Sequence, residues 1–249
     1  MNDLQTIIEK LNKNRTSDIP FTEYECEECH DTEVIIYRVD GHDYAKPCHC
    51  AEMKAAKRRM MKSGIDEEDL NKGFNDFETF GESGLEVAKQ TATNYYFDFD
   101  EIKGKRMNSI LLCGASGRGK TTLGLAVANN LMKKKKTSVL YMPYREDVTQ
   151  LKQFIVDDEK YTEKMHRLKN ASVLFIDDML KGKVTESDLN ILYEIINHRY
   201  LARLPMIIST EMTPDRLIEF DEAVGSRIIE MCKQYIVVFD KSIPNYRLR

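Results

Sequence analysis

One eight-residue stretch limits what this chain can fold into: Gly114-Ala115-Ser116-Gly117-Arg118-Gly119-Lys120-Thr121. It fits G-x-x-x-x-G-K-[ST] at every fixed position. The apolar run Ile110-Leu111-Leu112-Cys113 precedes it with strand character, and residues 122–131 read as a helix. Glycines allow such a loop to curl its backbone N–H groups toward an anion, and the following helix N-terminus adds partial positive charge. The spacing therefore predicts a phosphate cradle formed by Gly114, Ala115, Ser116, Gly117, Arg118, Gly119, Lys120, Thr121 and Thr122. Lys120 is expected on the β- and γ-phosphates of ATP, where it is also counted as catalytic, and Thr121 on magnesium.

A second signal lies 57 residues beyond Lys120, where Val173-Leu174-Phe175-Ile176 runs into Asp177-Asp178. A buried parallel strand delivers its last side chains to the sheet edge where ligands bind in open α/β folds. Asp177 is expected to hold magnesium with Thr121, and Asp178 to polarise an attacking water.

The surrounding pattern agrees. Apolar runs at 109–113, 138–142, 172–176, 206–210 and 235–239 alternate with helical stretches at 121–135, 145–168, 187–202 and 214–231. This alternation predicts an α/β fold with a five-stranded parallel sheet and helices on both faces. With 42% hydrophobic and 31% charged residues, the composition is that of a globular chain rather than a disordered one. A net charge of −4 gives no global attraction to nucleic acid. No run of 18 apolar residues and no secretion signal are read, so a cytoplasmic protein with no membrane partner is expected.

Residues 1–64 read differently from 65–249, and two domains are expected. Residues 1–14 have the spacing of an amphipathic helix. Residues 33–45 read as a hairpin turning at Asp40-Gly41, residues 51–63 as a basic helix stopped by Gly64, residues 65–82 as a linker and 83–98 as a helix. Four of the six cysteines, Cys26, Cys29, Cys48 and Cys50, flank the hairpin. Two close pairs brought together by a hairpin can enclose one tetrahedral structural zinc, either as four thiolates or as three with a histidine from His30, His42 or His49. Cys113 and Cys232 read as core residues.

Two further segments carry a resemblance. Met206-Ile207-Ile208-Ser209-Thr210-Glu211 resembles the sensor-1 strand of AAA+ ATPases, and Gly225-Ser226-Arg227-Ile228 resembles the segment that gives a neighbouring subunit an arginine finger. The resemblance implies catalytic roles for Thr210 and Arg227, and self-association through Arg227. Together with Phe74-Asn75-Asp76-Phe77, Lys120-Thr121-Thr122-Leu123 and Leu192-Tyr193-Glu194-Ile195-Ile196-Asn197-His198-Arg199-Tyr200, these segments resemble the DnaC/DnaI-type replicative helicase loaders and the related IstB-like ATPases. The resemblance covers about residues 66–249 and implies an AAA+ domain with no C-terminal lid. The cysteine-rich front end is similar to the DnaI-like branch. The resemblance further implies an ATPase whose front module grips a hexameric replicative helicase and whose ATPase domain meets single-stranded DNA. Tyr144, Arg145, Lys152, Phe154 and Lys164 would be on the DNA side, and Arg247 would sense nucleotide. The basic helix at 51–63 and Lys133–Lys136 would be further phosphate contacts. An IstB-like transposase helper and a weakly hydrolysing nucleotide switch are the alternatives.

Overall fold

The computed structural model describes residue 24 and residues 26–62, 67–240 and 242–245 of the 249. The helix expected over 1–14, the stop at Gly64 and Arg247 lie outside the described residues. The chain divides into two compact units, 1–54 and 55–249.

The first unit is built on an antiparallel pair, β1 (Val34–Val39) and β2 (His42–Pro47), in register from Val34 opposite Pro47 to Val39 opposite His42. Asp40 and Gly41, at φ 51° and 80°, form the two-residue turn. Positive φ at both positions matches the right-handed twist of a hairpin, and Asp-Gly accepts it at little cost. Helix α1 (His49–Lys62) follows directly.

The second unit, which begins within α1, continues with a short helix α2 (Glu67–Asn71), a 3₁₀ turn at Phe74–Asp76 and the long helix α3 (Ser83–Ile102). Then come β3 (Ile110–Gly114), α4 (Lys120–Lys135), β4 (Val139–Pro143), α5 (Tyr144–Gln153), α6 (Asp158–Asn170) and β5 (Val173–Met179). Helix α7 (Glu186–Ala202), β6 (Met206–Thr210), α8 (Pro214–Phe220), α9 (Glu222–Cys232) and β7 (Ile236–Phe239) complete the described elements. The five strands of this unit pair in parallel in the order β4-β5-β6-β3-β7. Every residue of β3 and β6 is buried. Strands buried on both faces need covering layers on both, which is why their sequences are continuous apolar runs rather than alternating ones. Cys113 and Cys232 sit in the core cluster of the same unit.

Two stretches expected as single helices are each divided, both times by an aspartate. Asp157 accepts a hydrogen bond from the Lys160 N–H at 3.2 Å and starts α6 afresh after a 3₁₀ turn at Phe154–Val156. Asp221 accepts from the Val224 N–H at 2.8 Å and separates α8 from α9. An aspartate side chain that satisfies orphan N–H groups starts a helix more readily than it continues one. The linker over 65–82 is more ordered than its polarity suggests, with α2, the 3₁₀ turn and a buried Phe77. Among the described residues, no helix is long and apolar enough to cross a membrane.

Candidate nucleotide site and metal centre

The loop after β3 is fixed by its neighbours. Gly114 has φ 117°, and a side chain there would collide with the Phe239 backbone carbonyl at the end of β7. The Ala115 N–H donates to that same carbonyl at 3.0 Å. The absence of a Cβ is what allows β7 to close against the start of the loop. Arg118 ties the loop to the chain beyond β7: its Nε donates to the Ile243 carbonyl at 2.6 Å and its Nη1 to the Ser116 carbonyl at 3.2 Å. A Cβ on Gly117, at φ 72°, would run into the Asn245 side chain. Gly119, also at positive φ, turns the chain into α4, whose first residues are Lys120, Thr121 and Thr122.

Lys120 is buried and donates from Nζ to the Ala115 carbonyl at 2.8 Å, so its ammonium spans the loop. Burial lowers its pKa, while the Glu211, Asp178 and Asp177 carboxylates pull it back up and the Lys181 ammonium pushes it down. Thr121 Oγ1 donates to Asp177 Oδ1 at 3.0 Å, closing α4 onto the end of β5. Asp177 also accepts from Tyr141 on β4, at 2.9 Å to Oδ2, and from Ser209 on β6. Burial raises the Asp177 pKa, partly offset by its hydroxyl donors, Ser209 foremost.

Beyond Asp177 the strand departs from regular geometry. A register shift between Ile176 and Met179 leaves Asp178 at φ 53°, and its N–H donates to Ser209 Oγ at 2.8 Å. Asp178 Oδ2 then accepts from Lys181 at 2.7 Å, and the same ammonium lies 3.8 Å from Glu211. The hydroxyl expected at the site on β6, that of Thr210, is turned away from it. It donates to the Met179 carbonyl at 2.8 Å and accepts from the Met212 N–H at 3.2 Å. Ser209, one residue earlier, stands at the acids instead, because successive side chains of a strand point to opposite faces.

Thr121 and Asp177 fit magnesium. Two neighbouring oxygens on an octahedral magnesium, each about 2.1 Å from the ion, lie about 3.0 Å apart. The two oxygens here are 3.0 Å apart and are hard donors.

Arg227 is held within its own unit. Nε donates to Asn197 Oδ1 at 3.1 Å and Nη1 to the Ala223 carbonyl at 2.6 Å, and the guanidinium lies over the rings of Tyr193 and Tyr200. Of the residues expected on the DNA side, Tyr144 is buried, Lys152 pairs with Asp188 at 2.8 Å, and Lys164 pairs with Asp147 at 2.8 Å. Arg145 is exposed and donates to the Lys181 carbonyl at 3.4 Å, and Phe154 is half-buried. In the lysine run, Lys133 donates to the Asn71 carbonyl, while Lys135 pairs with Asp100 and lies over Tyr96.

In the first unit, Cys26, Cys29, Cys48 and Cys50 are all buried, with their sulfurs within 4.8 Å of one another. The Cys26–Cys48 and Cys29–Cys50 sulfurs are 3.7 and 3.3 Å apart. Four sulfurs around one zinc, each about 2.3 Å from it, lie about 3.8 Å apart. The donor set therefore fits a closed, structural tetrahedral site. The hairpin accounts for the meeting: the Cys48 N–H donates to the Glu33 carbonyl at 2.8 Å, which ties the end of β2 to the residue before β1. Burial raises the pKa of Cys48 and Cys50, and the other sulfurs add to the shift at Cys50, so thiolates packed this closely call for a cation. His30 packs its ring on Tyr24, at 4.7 Å between centroids.

The fold has known counterparts. The crystal structure of the DnaC helicase loader superposes with a TM-score of 0.61 at 22% identity, over 70% of this chain and 99% of that one, a likeness of fold. The chain is 35% identical over 248 residues to phage-like element PBSX protein XkdC of Bacillus subtilis (strain 168), which spans 94% of this chain and 92% of XkdC. It is 29% identical over 170 residues to the replicative helicase loader DnaI of the same organism, spanning 67% of this chain and about half, 52%, of DnaI. A family model for the bacterial DnaA ATPase domain matches residues 70–232, the stretch that carries the loop, the acidic strand end and Arg227. With four of the five sheet strands and the whole strand–loop–helix unit inside that match, the chain belongs to the bacterial DnaA ATPase-domain family.

Proposed function

We propose that this protein is an ATP-dependent loader of a hexameric replicative helicase onto single-stranded DNA, acting in the cytoplasm. The observation that carries the ATPase half is the closure of Thr121 on Asp177 beside the curled loop, in a fold shared with a helicase loader. The loading half draws support from the relationship to DnaI, and from a separate cysteine-bearing unit able to act as a grip on the helicase.

In this reading residues 114–122 cradle the phosphates through backbone N–H groups, and Lys120 leaves the Ala115 carbonyl to meet the β- and γ-phosphates. Thr121 and Asp177 hold magnesium, which when bound neutralises charge developing on the transferred phosphoryl group. Asp178 orients the attacking water. Ser209 keeps Asp177 and the Asp178 backbone in place. Arg227, released from Tyr193 and Tyr200, completes the site of a neighbouring copy. Zinc on Cys26, Cys29, Cys48 and Cys50 would supply folding energy to the hairpin unit. The pairing of Asp178 with Lys181 favours a second reading, a nucleotide-dependent switch that turns over slowly.

The test uses a closed circular single strand, onto which a ring helicase cannot thread from an end. The full protein with ATP should load the helicase on the circle, and Lys120→Ala should not. Equal loading with and without the protein, or by Lys120→Ala, would reject the loader. Loading with a non-hydrolysable analogue as efficient as with ATP would favour the switch.

A further inference from the structure

The phosphate end of the site holds more negative charge than the loop motif suggests. Asp177, Asp178 and Glu211 converge there, and all three act electrostatically on the Lys120 ammonium, Glu211 most strongly. Glu211 lies one residue beyond β6, at the end of the sheet that also presents Asp177 and Ser209. A terminal phosphate drawn in by Lys120 would meet these carboxylates. One cation answers two of them: Lys181 Nζ lies 2.7 Å from Asp178 Oδ2 and 3.8 Å from Glu211 Oε1.

The backbone fixes this arrangement. Asp178 and Leu180 both sit at positive φ, 53° and 61°, and the Lys181 N–H donates to the Asp178 carbonyl at 3.2 Å. Met179 and Leu180 are buried, and Thr210 anchors the Met179 carbonyl from β6. The chain therefore doubles back, and Lys181 is returned to the acid it has just passed. About two-fifths of each of the Lys181, Asp178 and Glu211 side chains is exposed, so the pairs add little to folding. Their effect falls on whatever charge enters the site.

We infer that Lys181 is a positioning residue which holds Asp178 and Glu211 together and offsets their charge, and so sets the preference of the site for a triphosphate over a diphosphate. The inference rests on the proposed nucleotide site. Without Lys181, Asp178 and Glu211 lose the cation they share and face the terminal phosphate with less of their charge offset, while the β-phosphate, one phosphoryl unit further away, feels them less. At separations of several ångströms near a protein surface, this difference corresponds to roughly a tenfold change in relative affinity.

Calorimetric titration of the full protein with Mg-ADP and with a non-hydrolysable Mg-ATP analogue tests it. Lys181→Met should lower the affinity ratio of triphosphate to diphosphate by roughly tenfold. Lys181→Arg should keep the ratio, and Lys181→Met combined with Glu211→Gln should recover most of it. Lys181→Gln repeats the measurement if the methionine variant does not fold, as judged by circular dichroism. If the wild type binds both nucleotides and the variants weaken both equally, or neither, the inference fails while the nucleotide site stands. If the wild type binds neither, both fall.

Discussion

Asp177→Asn should make the free protein more stable while abolishing its response to magnesium. The carboxylate is buried among three hydroxyl donors, Thr121, Ser209 and Tyr141. Asparagine has the same shape and keeps all three contacts. Its Oδ1 accepts from Thr121 and Ser209, and its amide N–H can donate to the Tyr141 oxygen. Three charge-assisted bonds become neutral ones, a loss of about 1 kcal/mol each. Against this, burying an ionised carboxylate costs several kcal/mol. The Asp177 pKa is raised by burial above all, with the neighbouring Asp178 charge adding to it, and the hydroxyl donors offset the two only in part. The net gain should be about 1–2 kcal/mol at neutral pH, a rise of about 2–8 °C in melting temperature for a unit of this size. The pH dependence is set by the sign of the shift. An acid whose folded pKa lies above its unfolded value costs no stability below the unfolded pKa near 4. The cost grows as pH rises toward the folded pKa and stays constant above it. The variant and wild type should therefore melt together in acid and separate on the way to neutrality. Differential scanning calorimetry without nucleotide, repeated with Mg-ADP, checks both halves. Wild type should gain about 2.7 kcal/mol at a hundredfold excess over Kd, and the variant should gain nothing that depends on magnesium. A melting temperature several degrees below wild type at neutral pH would refute the reasoning.

Other substitutions separate residues that lie side by side. Ser209→Ala should weaken magnesium-dependent nucleotide binding and also cost about 2 kcal/mol, since Asp177 and the Asp178 N–H lose a buried partner. Thr210→Val should leave binding intact at a similar cost of about 2 kcal/mol, since the Met179 carbonyl and the Met212 N–H lose a buried partner, so titrations separate the two variants where melts do not. Cys26→Ser, or a strong chelator, should release one equivalent of zinc and unfold the hairpin unit while the ATPase unit keeps its melting transition, as measured by metal analysis and calorimetry. Arg227→Ala should leave nucleotide affinity unchanged but slow turnover at least tenfold at protein concentrations that drive assembly, a loss that steady-state rates against concentration would show.

Much of the site is legible along the chain because its parts are local. The loop, the strand before it and the helix after it are contiguous, and glycine at 114 is dictated by a positive φ and a close backbone approach. Asp177 announces itself as the acid at the end of an apolar run. The hairpin turn at Asp40-Gly41 and the four cysteines beside it are equally local. Where apolar periodicity misleads, competing local effects decide the outcome. Asp157 and Asp221 divide helices whose apolar spacing runs on past them.

Sequence alone determined the class of fold, the phosphate loop, the acid that answers it and the cysteine set, because each depends on residues near one another in the chain or on a periodicity the chain repeats. Tertiary structure alone decided which hydroxyl of β6 faces Asp177, since a strand's two faces differ by a single residue and only pairing with β5 fixes which is which. It also decided that Lys181 returns to Asp178 and Glu211. And it buried Arg199 completely, where it donates to the carbonyls of Leu168, Lys169 and Pro205 and ties α7 to α6 and to the residue before β6. Charge on a side chain predicts exposure until distant segments of the chain supply the carbonyls that make burial tolerable.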